Sequence, residues 1–119
     1  MATIKGFKGL RFKSGDLNSL VCPPYDIISD EQREKFIENN PHNIIRLELP
    51  KGENRYRDAG KTLKEWLDEG VLAQDDKDGI YVYEMDFLSN GERKSVKGFI
   101  SLVKLEEFSK GIILPHEET

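Results

Sequence analysis

Ile80-Tyr81-Val82-Tyr83-Glu84-Met85-Asp86-Phe87-Leu88-Ser89-Asn90-Gly91-Glu92-Arg93-Lys94-Ser95-Val96-Lys97-Gly98-Phe99-Ile100 is the stretch on which the fold turns. Apolar and polar residues alternate along both arms, and Asn90-Gly91 lies between them. Both residues tolerate positive φ, so the dipeptide predicts a two-residue hairpin turn. With the turn placed there, partner residues carry numbers that add to 181, as Asn90 and Gly91 do. Tyr81 then faces Ile100, Tyr83 faces Gly98 and Met85 faces Val96, all apolar or small. On the opposite side Val82 meets Phe99 and Glu84 meets Lys97, a pair of opposite charge. A slip of one residue would scramble both faces, so their agreement predicts this register.

Upstream, Ser29 stands three residues before Gln32, the spacing of a capping box, and Asp30 and Glu31 suit the positive end of a helix. A helix over 30–39 is predicted, stopped by Asn40-Pro41. A longer helix is predicted over 54–69. There Tyr56, Ala59, Leu63, Trp66 and Leu67 recur every three to four residues, and Gly70 is placed to end it. Between the helices, Asn43 to Pro50 alternates Ile45, Leu47 and Leu49 with Ile44, Arg46 and Glu48, a strand pattern. Short strands are also expected over 4–12, 17–22 and 112–114, with a turn or short helix near Leu105–Phe108. The predicted class is α+β. A mixed or antiparallel sheet containing the 80–103 hairpin has the two main helices packed on it.

The 119 residues suit a single domain, with 37% hydrophobic residues and aromatics enough for a core. The net charge of −4 argues against a nucleic-acid binder that works by neutralising phosphates. One cysteine excludes an internal disulfide, the N-terminus has no apolar leader core, and no run approaches about 18 apolar residues. A cytoplasmic protein that neither spans a membrane nor binds nucleic acid is expected. The end, Ile112 to Thr119, reads as a strand running into a polar segment. Either a short native tail or the N-terminal part of a longer protein would look this way.

Several motifs carry chemistry on paper. Asp58-Ala59-Gly60-Lys61-Thr62 lacks the first glycine of a phosphate loop, since Arg55 holds that position, and it lies inside the predicted helix. Asp76-Lys77-Asp78-Gly79 would need ligands at Gln74 and Met85 to be a calcium loop. His42, His116 and Cys22 share no metal-ligand spacing. In Cys22-Pro23-Pro24-Tyr25-Asp26 a rigid double proline leads to a hydroxyl and a carboxylate. It is either a turn support or a means of holding Asp26 for metal, hydroxyl or proton work. Cys22 itself reads as a structural thiol. Pro115-His116-Glu117 is either a polar chain end or a proton-handling pair. Arg46 is either a partner for Glu48 or a clamp for a carboxylate or phosphate.

Four ordered segments carry a resemblance: Ile4-Lys5-Gly6-Phe7-Lys8-Gly9-Leu10-Arg11, Pro23-Pro24-Tyr25-Asp26-Ile27-Ile28-Ser29, Asn40-Pro41-His42-Asn43-Ile44-Ile45-Arg46-Leu47, and Gly111 to Thr119. Together they resemble the bacterial and archaeal family catalogued as domain of unknown function 1015. Its members are usually several times longer, so the resemblance implies an N-terminal region whose partner is the remainder of its parent chain. The family in turn is distantly similar to the partition-protein-B and sulfiredoxin-like group, which includes nucleotide-dependent kinases acting on free serine. That likeness implies ATP or ADP with magnesium as cofactor. It implies catalytic roles for His116, Glu117 and Asp26, and substrate or anion binding by Arg46 and Tyr25. Three functions are therefore carried forward: part of a kinase or transferase acting on a small hydroxyl metabolite such as free serine, a non-catalytic metabolite-binding or regulatory module, and a structural cap.

Overall fold

The computed structural model describes residues 1–116. In chain order the elements are β1 (Ile4–Lys5), β2 (Leu10–Phe12), α1 (Leu17–Leu20), α2 (Asp30–Asn39), α3 (Ile45–Glu48), α4 (Arg55–Asp68), β3 (Leu72–Gln74), β4 (Tyr81–Ser89), β5 (Glu92–Ile100) and β6 (Leu102–Val103). Short 3-10 turns occupy Tyr25–Ile27 and Phe108–Lys110. The class is α+β, with every ladder antiparallel. The chain divides into two compact units, Leu10–Gln74 and a second made of Met1–Gly9 with 75–119.

The helical unit is held by a nonlocal core. Its buried apolar residues are Leu20, Ile45, Trp66 and Leu72, one from each of four elements. The amphipathic stripe of α4 places Trp66 inward, and α4 packs against α3 and β3 while α2 packs against α3. Ser29 caps α2 as predicted. Its hydroxyl accepts from the Gln32 N–H at 3.2 Å, and the Gln32 Oε1 accepts from the Ser29 N–H at 2.8 Å. The β2–β3 ladder pairs Arg11 with Ala73.

The strand expected over Asn43–Pro50 is instead a single helical turn, α3, and the strand expected over Leu17–Cys22 is α1. The reason is Asn43, whose side chain is buried. Its amide donates to the Ser19 and Val21 carbonyls, both at 2.9 Å, and its Oδ1 accepts from the Ile45 N–H at 2.9 Å. Those bonds close the backbone into a turn and satisfy the carbonyls leaving α1, so neither segment presents an extended edge. The Ile44 N–H donates to the Leu20 carbonyl at 2.8 Å and ties the two turns together.

In the hairpin unit the register is the one the alternation predicts, from Tyr81 opposite Ile100 to Ser89 opposite Glu92. Asn90 and Gly91 take φ of 52° and 78°, the left-handed pair that a tight hairpin turn requires. The Tyr83 ring lies across Gly98, where a Cβ would collide with it. The expected single stretch over 4–12 is broken at Gly6–Gly9: β1 pairs with β6, Phe7 forms a lone bridge to Gly79, and β2 belongs to the other unit. Ile112–Leu114 forms no strand, since no ladder partner is offered to it among the described residues. The expected one sheet is three separate two-stranded ladders.

Candidate functional site

The residues singled out from the sequence are distributed over both units. Tyr25 and Asp26 lie on the 3-10 turn after Pro23-Pro24 in the helical unit, and both side chains are exposed. Arg46 lies in the same unit, on α3. His116 belongs to the hairpin unit and is exposed, and Glu117 lies outside the described residues.

Arg46 is the most constrained of the set. The one-turn geometry of α3 sets its guanidinium 5.7 Å from the Trp66 ring centroid, in cation–π range, and its Nη1 donates to the Pro41 carbonyl at 3.0 Å. The expected pair with Glu48 does not form, because on a helical turn the two side chains diverge. Glu48 instead accepts from the Cys22 thiol at 3.5 Å. The Arg46 side chain thus has one hydrogen bond and no carboxylate partner among the described residues, so most of its five N–H donors meet no protein acceptor.

His42 approaches the same indole, its ring edge-on at 5.7 Å and 83°. Phe12 flanks Trp66 at 6.2 Å. A half-buried guanidinium and a half-buried imidazole therefore share one buried aromatic platform. Sequence reasoning treated His42 only as a metal ligand. His42 lies in the turn before α3 and Arg46 on α3 itself, so no spacing in the sequence signalled that both meet the Trp66 ring.

Cys22 is a poor nucleophile. Partial burial, the Glu48 charge and the hydrogen bond to it push the thiol up to about 11, from 9.0.

The PPYDII turn also builds a groove against α2, of about 410 Å³, lined by Pro23, Ile27, Ile28, Gln32, Lys35, Phe36 and Asn39. Asp26 and Tyr25 are not among its lining residues. Among the described residues no group of three or more His, Cys, Asp or Glu could hold a metal ion. Among them, too, no helix is long and apolar enough to cross a membrane.

The family model described as protein of unknown function (DUF1015) matches residues 4–119. The chain belongs to that family. The match spans all four segments on which the resemblance rests, including the one that carries His42 and Arg46. No curated protein and no solved structure matches this DUF1015 chain.

Proposed function

We propose that this DUF1015 chain is a metabolite-binding region whose ligand carries a carboxylate or phosphate held by Arg46. The observation behind this reading is the half-buried guanidinium fixed on Trp66 with no carboxylate partner among the described residues. A guanidinium fork matches an oxyanion bidentately. His42, beside the same ring, adds a second donor. Phosphoryl transfer to a small hydroxyl metabolite such as free serine is the catalytic extension of this reading. In it Arg46 takes the anion, with Asp26 and Tyr25 of the same unit as the further candidates for the chemistry. The described residues offer magnesium no all-protein cage. The same reading places the protein in the cytoplasm, consistent with its single cysteine.

Trp66 is the sole tryptophan, so its emission reports directly on Arg46. Titrating inorganic phosphate, acetate, serine and ATP or ADP with magnesium is expected to give a saturable change with at least one anion. Arg46→Gln is expected to abolish it and Arg46→Lys to weaken it. ADP formed from ATP and serine would establish the catalytic extension. Identical responses from the wild type and Arg46→Gln would refute anion binding at this site.

A further inference from the structure

The groove between the PPYDII turn and α2 is separate from the Arg46 platform in its residues, and it has its own chemistry. Its wall is apolar: Pro23, Ile27, Ile28 and Phe36. Pro23 and Pro24 fix the turn, and the capping box fixes the first turn of α2, so the groove exists before any ligand arrives. Its volume of about 410 Å³ lies within the roughly 300–1,000 Å³ of small-molecule sites.

Its polar groups are Gln32, Lys35 and Asn39, the last offering both a donor and an acceptor. Lys35 is the one charged lining residue, and it has no ion-pair partner among the described residues. Gln32 has its Oε1 engaged by the Ser29 N–H, so the NH₂ of its amide is the part left to offer a ligand. An apolar wall beside an ammonium and an amide donor complements a molecule with a hydrocarbon body and an anionic head.

We propose that this groove binds a small amphiphilic carboxylate, with its chain against Ile27, Ile28 and Phe36 and its head on Lys35. The site is independent of the Arg46 reading, and either can fail alone.

The test titrates octanoate, octanol and acetate into the ¹⁵N-labelled full chain and follows amide shifts. Octanoate is expected to shift the amides of residues 27–28 and 32–39, and to bind at least fivefold more tightly than octanol. Acetate is expected to give no shift there. Lys35→Gln, an exposed position whose folding is checked by circular dichroism, is expected to bring octanoate down to the affinity of octanol and leave octanol unchanged. Ile27→Ser, also exposed, is expected to weaken both ligands several-fold. Equal binding of octanoate and octanol, an unaltered octanoate affinity in Lys35→Gln, or shifts located elsewhere would overturn the proposal. So would ligand-free, concentration-dependent broadening of the groove amides, which would assign the groove to a second copy of the chain.

Discussion

The two units are stabilised in opposite ways. Every buried residue among the described ones belongs to Leu10–Gln74: the apolar set Leu20, Ile45, Trp66 and Leu72, together with Arg33, Asn43 and Thr62. The hairpin unit has none, and side chains on both faces of β4 and β5 are largely exposed, Val82 and Leu88 at 74%. The hairpin rests on local terms: a turn of the right hand, a nine-pair register, the Tyr83–Gly98 contact and a polar knot at its base. In that knot Tyr81 Oη donates to Asp75 and accepts from the Gly9 N–H at 2.7 Å. The helical unit has few long elements but many long-range ties. Arg33, for example, is anchored by its Nε donating to the Leu49 carbonyl at 2.6 Å. The difference teaches that chain order and stability architecture are separate matters, since one unit can be specified residue by neighbouring residue and the other only as a whole.

The most damaging break is Trp66→Ala. Trp66 is 2% exposed and touches Phe12, His42 and Arg46, so its removal is expected to cost about 3–5 kcal/mol, read from urea unfolding followed by circular dichroism. Val82→Ala on the exposed hairpin face sharpens the contrast, with an expected change within about 0.5 kcal/mol. Asn43→Ala comes next. It strands the buried Ile45 N–H and the Ser19 and Val21 carbonyls, for an expected loss of about 3 kcal/mol in the same assay.

In the other unit, replacing Asn90-Gly91 by Ala-Ala forces two residues with Cβ atoms into left-handed backbone. A loss of about 2 kcal/mol is expected, seen as faster amide exchange along β4 and β5 with the Trp66 emission unchanged. Ser29→Ala removes one half of the capping box and is expected to cost about 1 kcal/mol.

One further effect is pH-dependent. The Cys22 thiol ionises near 11 in the folded chain and near 9.0 unfolded, so the unfolded state loses its proton first as pH rises. The contribution of Cys22 is intact below pH 9 and declines between 9 and about 11. Cys22→Ala is expected to remove that part of the alkaline drop in the urea midpoint.

What could be read from the sequence follows from this contrast. The hairpin register, the capping box and the end of α4 at Gly70 each depend on residues within a few positions or on one alternating pattern. Neighbours alone decide them. The alternation of Ile45, Leu47 and Leu49 is an equally good strand pattern, and it was overruled by Asn43 bonding to carbonyls more than twenty residues away. The candidate site followed the fold: Arg46 was legible as a residue, but its platform was not, because Trp66 and His42 approach it only once α3 is a helical turn.

By itself, then, the sequence determined the α+β class, the two main helices and the hairpin with its register, because short-range sterics and side-chain periodicity specify each of them. The tertiary structure alone decided that α1 and α3 are helical turns, that His42 and Arg46 share Trp66, and that PPYDII faces α2 across a groove. The two helical turns and the shared platform depend on burying one indole and satisfying one buried amide. Both are energies of contact between distant parts of the chain, which no local pattern encodes.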